Sequence, residues 1–217
     1  MSLPQLSDSE RWILAFRHGQ TDWNAEGRIQ GHLDIPLNEL GRSQAKKLIL
    51  PAQRLGAQMI LTSDLSRASE SAEIVSAHLK IPILADERLR EIHLGKAQGK
   101  TRGEIETEFG TEISDRLGKQ PLSDMDVTLL GSESGDEVWR RATTAITETL
   151  LLHPEIKRLA VASHGGVLRR LIQFAQREDG KGTTPFEQIG WIGNCALYPL
   201  VFDLEKRQWR LRLWLPR

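Results

Sequence analysis

Short apolar runs alternate along the chain with longer segments in which apolar residues recur at helical spacing. This alternation is typical of an α/β protein, in which helices connect the strands of a sheet. The predicted strands are residues 11–16, 57–62, 81–86, 158–163, 196–203 and 208–215. Only "LEKR" separates the last two, which predicts a hairpin. We therefore predict a three-layer sandwich, with a mostly parallel sheet of about six strands, an antiparallel edge strand and helices on both faces.

Helices are predicted between the strands. The first begins after Asn38, whose side chain suits a helix cap, and Pro51 is expected to kink or end it. The second begins after Ser63 or Ser66. The predicted helical segments lie within residues 38–56, 63–80, 133–154 and 165–178.

Residues 95–135 depart from this alternation. The stretch is polar and dotted with glycines, with room for one or two short helices. A long excursion from an α/β core is more often a substrate loop than a second domain. We therefore expect a single domain over residues 1–217, and residues 95–135 are named the lid segment.

Composition excludes several classes of partner. Lysine plus arginine and aspartate plus glutamate both number 29, so the net charge is zero and no overall field attracts nucleic acid or a membrane. The one cysteine, Cys195, excludes an intramolecular disulfide and a multi-cysteine metal site. No run approaches the roughly 18 apolar residues of a membrane span, and no signal peptide is recognisable. We expect a cytoplasmic protein, monomeric or homodimeric, that binds anions only locally.

Basic residues and histidines follow three of the predicted strands. Arg17 and His18 come at the end of the first strand, Arg67 follows the second, and His164 follows the fourth. In open α/β sheets, ligands bind beyond the carboxyl ends of the strands. If these strands are parallel neighbours, two imidazoles and two guanidiniums meet in one pocket.

That combination of groups favours a phosphate site. Two of the strand ends run into helices, whose N-termini favour anions, and arginine offers paired donors that match phosphate oxygens. Neighbouring cations depress the pKa of an imidazole, so a neutral histidine can act as a nucleophile at neutral pH. The same cations would stabilise a phosphoryl group during transfer.

The stretches around these residues form an ordered set of motifs. The first begins "FRHGQTDWN" and the last reads "ASHGGVLRRL". The full set is residues 16–45, 62–75, 89–99, 131–142 and 162–171, followed by "IGNCALYPLVFD" near the C-terminus. In sequence and order these motifs resemble the histidine phosphatase superfamily, also called the phosphoglycerate mutase-like family. The resemblance covers most of residues 11–175 and is highly specific.

The resemblance implies roles for the residues at the strand ends. His18 would take the phosphoryl group to form phosphohistidine, while Arg17, Arg67 and His164 would hold that group. Glu91 falls where the family places the proton donor to the leaving alcohol, and a departing alkoxide does need a proton. The family needs no metal ion and no other cofactor.

Further residues are implied around the phosphoryl site. Asn24 matches an asparagine that contacts the phosphate or the substrate. Gln30 and Gly165 are additional binding positions, and Arg102 lies where mutases of the family have a substrate-binding lysine. Gly19 is expected to give its turn conformational freedom and to let a backbone group approach the imidazole.

The resemblance leaves open where the phosphoryl group goes. Mutases of the family have paired arginines in a longer lid, and here that pair falls near Gly118 and Lys119, so one cation is missing. A shorter lid admits water, which favours a phosphatase acting on a small anionic phosphate ester. A phosphoglycerate mutase and a catalytically idle phosphate-binding relative are the alternatives. Besides Arg102, the candidate selectivity residues are Arg90, Lys96, Arg116 and Lys119, and a solvated face of the lid is the alternative role for these charges.

Overall fold

A computed structural model describes residues 7–117, 120, 122–177 and 180–212. These residues form one seven-stranded mixed sheet, with strands in the order β3-β2-β4-β1-β6-β7-β5. The strands are β1 Glu10–Arg17, β2 Met59–Thr62, β3 Ile83–Ala85, β4 Arg158–Ser163, β5 Gln176–Arg177, β6 Leu197–Asp203 and β7 Gln208–Leu211.

The three strands that precede the predicted site residues are parallel neighbours. β4 lies between β1 and β2 and runs parallel to both. Arg17 of β1 pairs with Ser163 of β4, and Thr62 of β2 pairs with Ala162. The carboxyl ends of all three strands therefore lie level at one edge of the sheet, and the predicted arrangement is confirmed.

The α/β fold class is also confirmed, but the antiparallel strand lies inside the sheet. β6 is antiparallel to β1 on one side and to β7 on the other. Beyond β7, the two-residue strand β5 pairs parallel with it and forms the edge. A hairpin pattern in sequence shows that two strands are neighbours, but it does not show which third strand lies beside them.

The helices lie on both faces of this sheet and in the lid segment. They are α1 Asp22–Glu26, α2 Glu39–Lys46, α3 Ile49–Leu55, α4 Ser66–Leu79, α5 Arg102–Phe109, α6 Thr111–Arg116, α7 Asp124–Leu130, α8 Gly135–Leu152, α9 Gly165–Phe174 and α10 Phe186–Ile189. Two short 3-10 helices are Glu87–Leu89 and Gly95–Ala97. No helix among the described residues is long and apolar enough to cross a membrane.

The predicted helix starts are partly correct. Asn38 caps α2, accepting a hydrogen bond from the Gly41 N–H at 2.8 Å. Pro51 lies in the first turn of α3, where its missing N–H costs no helical bond, so the predicted helix is divided in two. The predicted serine cap of α4 is wrong, because Leu65 precedes the helix without a capping side chain. The Ser63 hydroxyl is used in the site instead.

Alternating residues of β1 supply the core on the two faces. Ile13 and Ala15 join an apolar cluster with α8 and α9, whereas Leu14 and Phe16 join another with α2, α3 and α4. Because side chains of a strand alternate between faces, this burial on both sides fixes the three-layer arrangement. The lid segment has three α-helices rather than one or two, with a small apolar cluster of its own.

Candidate active site

The level strand ends bring the predicted basic residues together. Arg17 ends β1 and His18 follows it, His164 follows β4, and Arg67 lies in the first turn of α4 after β2. All four are buried, and the most exposed of them, Arg17, is 5% exposed. These four residues are called the inner site.

The His18 ring is held in one tautomer by the backbone. Its Nδ1 lies 2.6 Å from the carbonyl oxygen of Gly19, so Nδ1 carries the proton and donates it. The backbone of His18 is fixed as well, since its N–H donates to Ser163 and its carbonyl accepts from the Cys195 N–H. The lone pair of Nε2 is consequently the nucleophilic position of this imidazole.

The prediction for Gly19 is partly correct, because its carbonyl does approach the His18 imidazole, but its turn does not need the freedom of a glycine. The Gly19 backbone is not in the left-handed region. A Cβ atom at this position would collide with the backbone of Gly41, at the start of α2. The close approach of two backbones therefore excludes a side chain here.

Both inner histidines are kept neutral by their surroundings. Burial, and then the charges of Arg17 and Arg67, hold the pKa of His18 well below its ordinary value of 6.5. Burial and the charge of Arg67 likewise depress the pKa of His164. A neutral His18 retains its Nε2 lone pair at neutral pH, which is what a nucleophile needs.

The two arginines of the inner site are held by carbonyl groups. Arg17 donates to the Ile192 carbonyl at 2.6 Å, and Arg67 donates to those of Gly31 at 2.7 Å and Leu33 at 2.8 Å. The Nε of each arginine is buried without a hydrogen-bond partner in the described part of the chain. Neither guanidinium forms an ion pair with a described carboxylate, although the charge of Glu91 acts on both from a greater distance.

His164 is fully buried beside His18. Its ring centroid is 5.2 Å from that of His18, and its Nε2 is 2.9 Å from the Ser63 hydroxyl. Its Nδ1 is buried with no hydrogen-bond partner among the described residues. His164 is thus placed to contact a group bound beside His18.

Glu91 reaches the inner site from the segment after the first 3-10 helix. Its carboxylate accepts from the Gly166 N–H at 3.0 Å, in the first turn of α9. Its charge acts on both Arg17 and Arg67. The carboxyl group of Glu91 therefore lines the same pocket as both cations. It is close enough for its charge to act on each of them.

The backbone of this segment is anchored by two side chains that the sequence did not reveal as site residues. The Arg141 guanidinium donates to the carbonyls of Arg90 at 2.7 Å and Glu91 at 2.9 Å. His32 Nε2 donates to the same Glu91 carbonyl at 2.7 Å. Arg141 lies in the "GSESGDEVWRRA" motif, which was the available signal for it.

The asparagine after the first motif also belongs to the pocket. The side-chain oxygen of Asn24 accepts from the Thr21 N–H at 3.2 Å and from Asn194 Nδ2 at 3.1 Å. The NH₂ group of Asn24 is consequently the part that can donate to a ligand. Asn194 Nδ2 also donates to the His18 carbonyl at 3.2 Å and so joins the two residues. Gln30 is buried and accepts from the Thr21 hydroxyl at 3.1 Å.

The inner site opens into a pocket of about 570 Å³. Its wall includes every predicted site residue except His164, with Gly165 packed against the Arg17 side chain. Arg102 lines the outer part, but it donates to the carbonyls of Ser114 and Leu117, both at 3.0 Å, and so connects α5 to α6. The remaining wall has apolar residues, which are Trp23, Ile29, Ile92, Leu94, Leu117, Leu122, Phe186, Trp191 and Ile192, and charged residues, which are Glu26, Arg28, Glu133, Arg169 and Arg170.

The other candidate selectivity residues that the structure describes lie outside this wall. Arg90 pairs with Asp64, and Arg116 pairs with Asp126 at 3.0 Å. Lys96 is exposed. The positions of the mutase arginine pair, Gly118 and Lys119, lie outside the described residues. Within the described ranges, no group of three histidine, cysteine or acidic side chains is placed to hold a metal ion.

Comparison with known proteins places this geometry in a family. The sequence profile of the histidine phosphatase superfamily (branch 1) matches residues 13–215. Phosphoglycerate mutase-like protein 4 of Arabidopsis thaliana is 40% identical over 214 residues, covering 93% of this chain and 84% of that protein. Glucosyl-3-phosphoglycerate phosphatase of Mycobacterium tuberculosis is 31% identical over 222 residues, covering 94% of each.

The fold gives the same assignment. The solved structure of the mycobacterial glucosyl-3-phosphoglycerate phosphatase in complex with VO3 matches with a TM-score of 0.76 at 28% identity. The match covers 95% of this chain and 100% of that one. The resemblance that the motifs indicated is therefore confirmed. The chain belongs to the histidine phosphatase superfamily and is an enzyme of that family.

Proposed function

We propose that the protein hydrolyses a small anionic phosphate monoester through a phosphohistidine intermediate at His18, without a metal ion. One observation carries the proposal: a neutral imidazole with a free Nε2 lies beside two buried guanidiniums that form no ion pair with a described carboxylate. A phosphoryl group bound there would satisfy the donors of Arg17 and Arg67. It would also be placed for attack by Nε2.

In the first step the Nε2 lone pair of His18 attacks phosphorus. The bond from phosphorus to the ester oxygen breaks, and the departing oxygen takes the proton of the Glu91 carboxyl group. The products of this step are the alcohol, a carboxylate at Glu91 and phosphohistidine. Arg17, Arg67 and His164 stabilise the charge that spreads over the phosphoryl oxygens.

In the second step water replaces the alcohol. The Glu91 carboxylate takes a proton from that water as its oxygen attacks phosphorus, and the bond from phosphorus to Nε2 breaks. Inorganic phosphate leaves, while neutral His18 and protonated Glu91 are restored. Protons and electrons balance without a metal ion, an oxidant or a reductant.

Hydrolysis is favoured over transfer to a second substrate by the state of the lid segment. A mutase must hold an acceptor against phosphohistidine, and basic lid side chains are suited to that task. Here Arg116 is paired with Asp126 at 3.0 Å, so its charge is compensated. The relatives carry both kinds of name, since one at 40% identity is named phosphoglycerate mutase-like and one at 31% identity is named a phosphatase, so the choice rests on the lid segment.

The decisive experiment is a phosphate-release assay on a panel of phosphomonoesters in the presence of a chelator, with and without 3-phosphoglycerate as acceptor. His18→Ala is the test variant, and His78→Ala is its matched control, because His78 is an exposed histidine of α4. We expect release by the wild type and by His78→Ala, and a loss of about 10³-fold or more in His18→Ala. An acid-labile phosphoprotein should form in a rapid quench of the wild type and of His78→Ala, but not of His18→Ala.

Four results would contradict the proposal. Equal phosphate release by His18→Ala would show that His18 is not the nucleophile. Transfer to 3-phosphoglycerate faster than hydrolysis would show that the protein is a mutase. Binding of the esters without turnover would make it an idle phosphate-binding relative. Activity that disappears with chelator would contradict the metal-independent mechanism.

A further inference from the structure

A second pair of buried arginines lies in the pocket wall, on α9 rather than on the lid. Arg169 and Arg170 are 8% and 7% exposed. Both line the same pocket as His18. The sequence "GGVLRRL" carries them directly behind the glycines of the inner site, but the proposed reaction has no use for them.

The direction of α9 places these arginines on the leaving-group side of the pocket. Gly166, in the first turn, donates to the carboxylate of Glu91, which is the proposed proton donor to the leaving alcohol. Arg170 lies four residues further on, hence on the same face of the helix and about 6 Å along its axis. A substrate whose ester oxygen faces Glu91 would therefore extend its alcohol part towards Arg170.

Arg170 has few partners for a buried cation. It donates through Nη1 to Gln173 at 2.7 Å, and its Cζ lies 4.9 Å from the ring centroid of Phe186. Its Nε is buried without a hydrogen-bond partner in the described ranges. The charge of Asp136 acts on it, but no described carboxylate forms an ion pair with it. Buried arginines are ordinarily paired, so this one is short of an anion.

The surroundings of Arg170 add positive potential. Its guanidinium packs against Gly135, the first residue of the long helix α8, where a Cβ atom would lie 2.5 Å from Cζ. The first backbone N–H groups of a helix have no helical acceptor and form the positive end of its dipole. Arg169 is the other cation nearby; it donates to the Gly190 carbonyl at 2.6 Å and stacks on Phe186 at 4.2 Å. Two cations and a helix N-terminus thus meet in a desolvated wall.

We propose that Arg170, supported by Arg169 and the first turn of α8, binds a second anionic group on the alcohol part of the substrate. The inference rests on the proposed hydrolysis and narrows its substrate class. The substrate would be a phosphate monoester that carries a second anion, either a carboxylate or another phosphate. Selectivity for that class would then come from α9, and not from the charges of the lid segment.

A purely structural role makes a different prediction. If Arg170 only holds Phe186 and Gln173 in place, its replacement would change the stability of the protein and the hydrolysis of all esters alike. If it binds a second anion, its replacement changes the preference between two esters that differ only in that anion. The ratio of two kcat/KM values therefore distinguishes the roles.

The test uses matched pairs of substrates. In one arm 3-phosphoglycerate is compared with glycerol 3-phosphate, which has a hydroxymethyl group in place of the carboxylate. In the other arm fructose 1,6-bisphosphate is compared with fructose 1-phosphate. In at least one pair, we expect the wild type to hydrolyse the ester that carries the second anionic group with a kcat/KM higher by about tenfold or more. The arm that shows the preference identifies the second anion.

The variants are Arg170→Met, Arg170→Lys and Gly135→Ala, with Arg140→Met as control because Arg140 is an exposed arginine of α8. Arg170→Met should bring the ratio of the two kcat/KM values close to one by raising KM for the ester with the second anionic group. Arg170→Lys should keep part of the wild-type preference. Gly135→Ala should lower the ratio without changing the net charge, because the new methyl group displaces the guanidinium. Arg140→Met should leave the ratio as in the wild type.

Clear outcomes would overturn the inference. A wild-type ratio near one in both arms does so, as does a ratio that survives both Arg170→Met and Gly135→Ala. If Arg170→Met fails to fold, Gly135→Ala and Arg170→Lys decide the question. If the wild type releases phosphate from no ester, the proposed hydrolysis fails on its own. The same pairs are then compared by calorimetric binding, where a missing preference for the second anion rejects the subsite.

Discussion

The inner site and the lid segment are both rich in basic residues, but among the described residues of these two regions ion pairs are found only in the lid segment. Arg102 is an exception within the lid segment, because it is bonded to carbonyls. Arg17 and Arg67 are buried, bonded to backbone carbonyls and without an ion pair among the described residues. In the lid segment, Arg116 pairs with Asp126 at 3.0 Å and Lys100 pairs with Glu108 at 2.7 Å. A carbonyl fixes the position of a guanidinium but leaves its charge, whereas a carboxylate cancels that charge.

The contrast indicates where an anion would bind. Burial of a cation costs free energy that a counter-ion can recover, and water screens the charges of a partly exposed ion pair. The inner site therefore attracts a phosphoryl group, while the paired charges of the lid segment hold its short helices together. By this criterion Arg170 resembles the inner site and not the lid.

The largest effect is expected from removing an uncompensated cation. Arg67→Met keeps most of the side-chain volume but deletes the charge beside His18. We expect kcat/KM for phosphate esters to fall by about 10³-fold, as for other arginines that stabilise phosphoryl transfer. Steady-state kinetics measures the fall in kcat/KM. Circular dichroism verifies that the variant is folded. A fall of less than tenfold would show that the charge is not used.

The next effect separates the proton donor from the cations. Glu91→Gln cannot supply a proton to the leaving alcohol, so kcat for alkyl phosphates should fall by about 10²-fold. For p-nitrophenyl phosphate, whose leaving group needs no proton, the fall should be much smaller. The comparison of the two esters in one variant is the measurement. Equal losses would assign Glu91 a positioning role instead.

A third prediction concerns pH and the two buried histidines. In the unfolded chain His18 and His164 take up protons below pH 6.5, their ordinary pKa, whereas burial keeps both neutral in the native state. The unfolded state then binds more protons, so the stability present above pH 6.5 is lost as the pH falls. Each histidine should lower the free energy of unfolding by about 1.4 kcal/mol per pH unit below 6.5, until its lowered pKa is reached.

Urea unfolding between pH 7 and pH 5 measures this loss. His164→Gln should remove about half of the pH dependence that the pair contributes. His32, whose pKa is also lowered, adds its own contribution and remains in that variant. The carboxylates with lowered pKa values act only at lower pH; they are Asp64, Asp86, Glu104, Glu137 and Asp203. A pH-independent stability over this range would show that the histidines are not desolvated.

The smallest effect is expected from a compensated cation of the lid segment. Arg116→Met removes the partner of Asp126, which still accepts from the Ser123 N–H at 3.0 Å. We expect a change of less than about twofold in kcat/KM and a loss of roughly 1 kcal/mol in stability. Together with Arg67→Met, this variant tests the contrast between the two regions directly. A large loss of activity in Arg116→Met would contradict the contrast between the inner site and the lid segment.

Much of the fold and of the inner site could be predicted from the sequence. The apolar runs gave the strands, and the residues after them gave Arg17, His18, Arg67 and His164. Those predictions succeeded because the ends of parallel strands meet at one edge of a sheet, so position along the chain becomes position in space.

Other features depend on contacts that no local pattern contains. The place of β6 inside the sheet, the anchoring of Glu91 by Arg141 and the bonding of Arg102 within the lid segment all join distant parts of the chain. The Gly19 backbone is likewise restricted by Gly41, through packing rather than turn geometry. A sequence shows that a residue can bond, but not which partner folding brings to it.

The strand-and-helix alternation, the three basic strand ends and the family could be predicted from the sequence, because periodicity and motif spacing are local properties of the chain. Which cations keep their charge depends on tertiary contacts. Arg67, Arg116 and Arg170 are the same type of residue in the sequence. They differ in whether a carbonyl, a carboxylate or an open pocket faces the guanidinium. Burial and the nature of that partner set the electrostatic potential that a substrate meets, and both are long-range outcomes of folding.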